Sequence, residues 1–337
     1  MKRPQIIHLV DDTTAGGVMR LLEYICTDPD MGRNAHHSLR VVRKGALSMR
    51  RIKADVIVSH LSVSWRTLPA LISLRALHAD TPLVHVEHSY TQSFTALNVA
   101  KKDRFLTLLR IGYAMFDHLV AVSQAQARWM FRHRLADLGA LSVISPTVPL
   151  ASFAALPAPK GPPRTIGAMG RLDRQKGFDL LIPAFRQIAA PDARLIFYGE
   201  GPERARLTAL AEGDPRIVFA GHSDSPEAAM QSVDAIAMPS RWEAYGLVAL
   251  EARAAGRPVL VSGIDGLKDQ IADGATPVRN YTVEGWSAAL QSLLNGDIPA
   301  APRPDAALQS VEFARQWDQL FRGFQQQTPV VLSAAKA

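Results

Sequence analysis

Short apolar runs of strand length alternate with longer amphipathic stretches through this chain of 337 residues, and that rhythm constrains its fold more than any other feature. Runs at 5–10 (QIIHLV), 55–60 (DVIVSH), 82–87 (PLVHVE), 118–122 (HLVAV) and 141–145 (LSVIS) are separated by helical patterns at 17–26, 67–79, 101–116 and 124–136. Strand, helix, strand in that order predicts a parallel sheet covered on both faces, because parallel neighbours need a crossover between them. The rhythm breaks at 146–163, where six prolines in 18 residues can continue neither ladder and read as a linker. It then restarts, with strands at 164–169, 193–198, 216–219, 234–238 and 258–262 and helices at 177–190, 202–212, 225–232 and 246–255. The expectation is an α/β chain of two doubly wound domains, 1–150 and 164–305. A segment 306–337 would follow, holding a helix over 308–324 that crosses back to the first domain, and a polar tail.

Composition narrows the class further. With 47% hydrophobic and 20% charged residues the chain is globular, not disordered. Its longest apolar runs fall well short of the ~18 residues that cross a bilayer. The start, MKRPQIIHLVDD, lacks the apolar core and cleavage site of a signal peptide, so a cytoplasmic protein is expected. A lone cysteine, Cys26, excludes an internal disulfide and makes no zinc site by itself.

The net charge of +7 is unevenly shared: residues 1–150 carry +8 and residues 151–337 carry −1, and nine of the ten histidines lie in the first half. An anionic partner for that half follows, either a phospholipid surface or a phosphorylated substrate. Nucleic acid is not expected, since neither zinc-finger spacing nor an RNA-recognition aromatic pattern accompanies the charge. The basic segment 97–116, with Lys101, Lys102, Arg104 and Arg110 among Phe105, Leu108, Leu109 and Ile111, has two readings. It is a helix lying in an anionic membrane interface, or one packed on the first domain with its cations solvated.

Ligands of doubly wound sheets bind outside the carboxyl ends of the strands, so the strand-to-helix loops carry the chemistry. In 11–17 (DDTTAGG), Gly16 and Gly17 before a helix serve equally as a tight turn and as a phosphate cradle. In 167–177 (GAMGRLDRQKG), Arg171 as a fork and Lys176 as a point charge suit a diphosphate. The most informative stretch is 238–251 (MPSRWEAYGLVALE), where Glu243 sits in a loop, Tyr245-Gly246-Leu247 opens a helix and Glu251 lies inside it. Eight residues of helix span ~12 Å, beyond the roughly 5 to 9.5 Å of a hydrolytic carboxylate pair. The spacing therefore points to two grips on one long ligand. His88 falls at a strand's carboxyl end, whereas His85 is mid-strand and reads as core. Asp28-Pro29-Asp30 has the spacing of a metal clamp but lies in a proline turn, and reads as surface.

Gly170-Arg171…Lys176-Gly177, Gly199-Glu200-Gly201-Pro202, Phe219-Ala220-Gly221, Pro239-Ser240 with Glu243 and Glu251, and Gly256-Arg257-Pro258-Val259 together resemble the family 4 retaining glycosyltransferases of GT-B fold. The likeness is tight over about 165–275 and looser in the first half, through Gly16-Gly17, Val86-Glu87-His88-Ser89 and Ala121-Val122-Ser123. The resemblance implies two Rossmann-like domains facing a central cleft, with a nucleotide-diphosphate sugar (UDP- or GDP-linked) as donor. It implies that Arg171 and Lys176 bind the diphosphate, with Gly16, Gly17 and the amides of Gly246 and Leu247 nearby. Glu243 and His88 would meet the sugar, Glu251 the ribose, and His222 and Ser223 would border the base, with Tyr245 beside them in the donor site. The implied activity is a metal-independent hexosyl transfer without a cofactor, to a glycan or polyprenyl-diphosphate-linked acceptor in surface polysaccharide synthesis. Three positions depart from the family: Pro146-Thr147-Val148-Pro149 replaces Asn-Gly-Val-Asp, Ala244 replaces a glycine, and Asp265-Gly266 replaces Gly-Gly. The rival readings are a GT-B hydrolase or epimerase, which needs no acceptor, and a nucleotide-sugar binding protein without catalysis. A dinucleotide oxidoreductase would share the architecture, but neither half has a complete Gly-x-Gly-x-x-Gly after its first strand.

Overall fold

The computed structural model describes residues 3–14 and 16–327, with side chains through 324. The first sheet comprises β1 (Gln5–Val10), β2 (His36–Val41), β3 (Val56–Ser59), β4 (Leu83–Glu87), β5 (His118–Ala121) and β6 (Leu141–Val143), in spatial order β2-β1-β3-β4-β5-β6. The second comprises β7 (Thr165–Met169), β8 (Arg194–Tyr198), β9 (Ile217–Gly221), β10 (Ala235–Met238), β11 (Val259–Ser262) and β12 (Thr276–Val278), in order β12-β11-β10-β7-β8-β9. Every pairing among the described strands is parallel. The strand order reverses beside the first strand of each sheet, between β1 and β3 and between β7 and β10. Crossovers diverge to opposite faces there, which opens a crevice beyond the carboxyl ends.

Three apolar cores hold this arrangement. One lies on the outer face of the first sheet, around Leu9, Ile57, Leu71, Leu109 and Trp129, and one on the outer face of the second, around Phe185, Phe197 and Trp286. The third joins Ile6, Val58, Val84 and Val120 to Met238, Leu250 and Val261, and so runs from one sheet to the other. Each fully buried large side chain stabilises by roughly 1.5–3 kcal/mol. The helix Ala306–Gln327 completes the third core by laying Phe313, Trp317 and Phe321 on the first sheet, and Tyr24 Oη donates to Ser310 Oγ at 2.7 Å. The tail beyond 327 lies outside the described residues.

The proline stretch differs from a plain linker. Val148, Leu150 and Phe153 are buried, and the short helix Ala151–Ala154 packs on the helix Leu247–Ala254. Proline forbids the ladders but not the burial of apolar residues between the prolines. The strands β2 and β12 were not legible in the sequence. Both are at sheet edges, and a half-solvated edge strand such as HHSLRV carries no continuous apolar run. The basic segment forms the helix Lys102–Tyr113, whose Leu106, Leu108, Leu109 and Tyr113 are buried in the first core. Its apolar face therefore packs on the domain. Lys101, Lys102, Arg104 and Arg110 face solvent beside an exposed Ile111, with Arg104 over the Trp65 ring.

Candidate functional site

The loops leaving β7 and β10 flank the reversal of the second sheet and hold most of the singled-out residues. Gly170 follows β7, and the Arg171 side chain is 63% exposed, with Nε donating to Asp173 Oδ2 at 2.5 Å. Asp173 also accepts from the Gln175 amide and so starts the turn Arg174–Lys176. Gly177 ends that turn at φ 68°, where a Cβ would collide with the Pro239 carbonyl and the Tyr281 hydroxyl. This close approach brings Lys176 to the β10 loop, and its Nζ lies 2.6 Å from Glu243 Oε2 with both side chains largely buried. Around the pair, Gln175 donates to the Trp242 carbonyl, and Arg241 grips Asp179 through two bonds of 2.7 and 2.9 Å. Burial alone would raise the Asp179 carboxyl, but Arg241 holds it below its ordinary range. Gly246, at φ 95°, turns the chain into the helix Leu247–Ala254 in a place where a side chain would strike Leu267. The free amides at this helix start form the positive end of its dipole.

Tyr245 and Glu251 point inward. Tyr245 is buried, and that burial pushes its pKa up to about 12, with Gln270 pulling the other way. It is thus a packing residue of the loop and not an open contact. Glu251 is 2% exposed and accepts from Arg20 Nη1 at 2.6 Å. Burial raises its pKa to about 7, with the Arg20 charge pulling the other way and Glu227 adding to the rise. Arg20 belongs to the helix Gly17–Thr27 of the first sheet, so the pair spans the two halves. Sequence reasoning missed Arg20. The available signal was a lone cation one turn into a helix that starts at paired glycines.

The first sheet meets this site from the opposite side. All of the 11–17 loop but Ala15 is described, and a Cβ on Gly17 would lie 3.2 Å from Leu247. Beyond β4, the Glu87 carboxylate accepts from the amides of Ser89 (2.7 Å) and Tyr90 (2.9 Å) and from the Tyr113 hydroxyl (2.6 Å), shaping the turn that carries His88. Burial would raise Glu87, but His85, Tyr113 and the Tyr90 amide hold it down. Three residues after His88, Thr91 Oγ1 donates to Asp265 Oδ2 at 2.6 Å, while Ser93 gives both its amide and its hydroxyl to Oδ1 at 3.0 Å. Asp265, at a position where the family pattern has glycine, holds φ 38° and follows β11 in the second sheet. Asp269 accepts from the Gln124 amide at 2.6 Å, Arg174 reaches Asn98 at 2.8 Å, and Phe94 meets Trp242 edge-on at 6.0 Å. The carboxyl edges of the two sheets therefore face each other and are tied.

Other candidates lie apart. His222 and Ser223 sit beyond the edge strand β9, with His222 61% exposed and 3.7 Å from Asp224, and Ser223 donating to the Ser225 carbonyl. Backbone bonds from Gly170 to Tyr198 and from Gly199 to Gly221 still link that corner to the β7 loop. Asp28 caps the helix Pro29–Gly32 by accepting from the Asp30 and Met31 amides, and Asp30 pairs with Arg33. Among the described residues no group of three His, Cys, Asp or Glu is placed to hold a metal ion.

Comparison with known proteins covers both halves. The model of Glycosyltransferase Family 4 matches residues 7–152, and that of Glycosyl transferases group 1 matches 163–296. A phosphatidyl-myo-inositol mannosyltransferase of Mycolicibacterium smegmatis is 30% identical over 277 residues, covering 77% of this chain and 69% of the relative. A D-inositol 3-phosphate glycosyltransferase of Segniliparus rotundus is 30% identical over 63% of this chain and 53% of its own length. Among solved structures, a sucrose-phosphate synthase from Thermosynechococcus elongatus superposes with TM-score 0.74 at 20% identity, covering 96% of this chain and 100% of that one. Anabaena HepE in complex with UDP and glucose superposes with TM-score 0.72 at 16% identity, covering 95% and 100%. At such identities these two structures speak for the fold alone.

Proposed function

The chain belongs to the group 1 glycosyltransferases and has the GT-B fold, and from that premise we propose that it moves a sugar, with retention, from a nucleotide-diphosphate donor held in the cleft. The observation that carries the reading is the Lys176–Glu243 pair at the strand reversal, beside the open Arg171 and the start of the helix Leu247–Ala254. Arg171, Lys176 and the amides of Gly246 and Leu247 stabilise the charge that builds on the departing diphosphate, without a metal. Gly16 and Gly17 approach the diphosphate from the first domain. Glu243 and His88 contact the sugar, Glu251 holds the ribose once Arg20 yields or shares it, and His222 and Ser223 border the base.

The bond between the anomeric carbon and the diphosphate oxygen breaks as the acceptor oxygen bonds to the same face of that carbon. The acceptor's proton passes to the leaving diphosphate. The HepE structure, alike in fold, is a complex with UDP and glucose, which makes UDP the first nucleotide to test. The exposed cations of the first half favour an anionic acceptor, such as a polyprenyl-diphosphate-linked glycan at the inner face of a membrane, in surface polysaccharide synthesis.

Thermal stabilisation by UDP, GDP, ADP, CMP and NAD, on the native chain and on Arg171→Ala, tests this. At ~100 times its dissociation constant a ligand adds about 2.7 kcal/mol of stability. One nucleoside diphosphate should raise Tm, and Arg171→Ala should lose most of that rise. Stabilisation by NAD alone, or an undiminished effect in the variant, would sink the reading. Release of free sugar without any acceptor would point to the hydrolase.

A further inference from the structure

Four histidines cross the inner face of the first sheet in a staircase. His37 of β2 lies level with Ile6 of β1, and His8 of β1 lies level with Val58 of β3. His60, just beyond β3, follows Ser59, which is level with His85 of β4, so His88 is two residues further along the same face. Side chains of paired parallel strands point the same way and alternate along each strand. Each step across the sheet therefore advances two residues toward the cleft. The rings touch in order: His37 Nδ1 to His8 Nε2 at 3.0 Å, His8 Nδ1 to His60 Nε2 at 3.0 Å, and His60 Nδ1 to His88 Nε2 at 2.8 Å. Trp317 and Phe321 of the helix Ala306–Gln327 cover His8 and His37 with ring contacts of 6.3 and 5.9 Å.

The polarity of the chain is set at its inner end. Of the groups acting on His37, the Met31 backbone is the one that favours a protonated ring nitrogen, as an accepting carbonyl does. A carbonyl cannot donate, and His37 Nδ1 already faces His8, so His37 carries its proton on Nε2. His8 must then donate from Nε2 to His37, His60 from Nε2 to His8, and His88 from Nε2 to His60. His88 Nδ1 takes no hydrogen bond from the protein and is not sealed from solvent.

We propose that His37, His8 and His60 are positioning residues that lock His88 in its Nε2–H tautomer, so that a bare Nδ1 faces the cleft as an acceptor for a substrate hydroxyl. This rests on the placement of His88 at the sugar. The neutral state needed for such a chain agrees with the surroundings. Burial holds His8 and His60 well below the ordinary imidazole range and brings His37 and His88 to about 4. Glu87 is the carboxylate that opposes this at His88, while His85 reinforces it, as His36 does at His37. The lock confers selectivity: a hydroxyl of the sugar donates to Nδ1, whereas a carboxylate at the same place meets a lone pair.

Long-range proton–nitrogen NMR of the full chain labelled with 15N-histidine reads the tautomers directly. All four rings should show a protonated Nε2 and a bare Nδ1, unchanged from pH 5.5 to 8. A protonated Nδ1 on His88 would overturn the proposal. In kinetics, His60→Phe should lower kcat at least tenfold, because the His88 ring then has no acceptor that holds its proton on Nε2. His60→Gln, which can still accept from His88, should recover part of the rate. If His60→Phe fails to fold, His37→Phe severs the same chain at its inner end and should lower kcat in the same sense. An unchanged rate together with an unchanged His88 tautomer in a folded variant overturns the lock. Full activity of His88→Ala would instead overturn the placement of His88 at the substrate, and with it this role, whatever the tautomers.

Discussion

The two sheets share one plan but present opposite chemistry to the cleft. The first half carries +8, yet its carboxyl edge offers hydrogen-bonded imidazoles and a sequestered Glu87, with the cations of the helix Lys102–Tyr113 turned to solvent. The second half carries −1, yet its edge presents Arg171, Lys176 and a helix start, with Glu243 and Asp173 fixing the cations in place. Net charge of a domain therefore says little about the charge of its site, since position on the strand edge decides that. A neutral first edge suits a hydroxyl-rich sugar and acceptor, and a charged second edge suits a diphosphate.

The largest expected effect would sharpen this contrast. Lys176→Met should cut transfer by about 100- to 1,000-fold, the range seen when one donor to a developing charge is removed. Its Tm should fall while the variant stays folded, because the largely buried Glu243 carboxylate loses its cation. Turnover within threefold of the native enzyme would break the contrast, since the second edge would then not be the charged one that matters.

An intermediate effect concerns what joins the two edges. Asp265→Ala removes the acceptor of Thr91 and Ser93, and bonds to a charged group contribute about 1.5–3 kcal/mol each. Urea unfolding should show a loss of about 4 kcal/mol or more for the three bonds, together with a weaker grip on the donor. Unaltered stability would mean that the halves hold together through the shared core alone.

The smallest effect is a slope. The Glu251 carboxyl has a folded pKa of about 7 against an ordinary 4.5, so the folded chain binds the extra proton. Its contribution to stability is complete below about pH 4.5 and is lost as pH rises through about 7. Glu251→Gln should flatten Tm against pH in that window. Arg20→Met should steepen the decline and carry it to higher pH, since it removes the opposing charge. Equal slopes in all three proteins would show that Glu251 does not titrate as its burial dictates.

Much of the fold was legible because buried parallel strands are short continuous apolar runs, as in LIFY of β8 and VLVS of β11. The edge strands β2 and β12 lack that signature. The diphosphate loops were legible for a local reason: Gly170, Arg171, Lys176 and Gly177 share one short loop, and Glu243 and Gly246 share another, and within each the backbone geometry dictates residue type. The resemblance implied Tyr245 in the donor site, and packing, which no local pattern shows, buries its side chain there.

The sequence by itself determined the two parallel sheets, the break between them and the cationic loops, all of which follow from periodicity or from residues close along the chain. Tertiary structure alone decided the Arg20–Glu251 pair, the Asp265 clasp and the imidazole staircase, whose members lie 231, 174, 29, 52 and 28 residues apart. Strand order and register bring such residues together, and neither is written in any local pattern. A histidine mid-strand looks the same whether it meets a carboxylate two residues along its own strand, as His85 does with Glu87, or hands a hydrogen bond to the next strand, as His8 does.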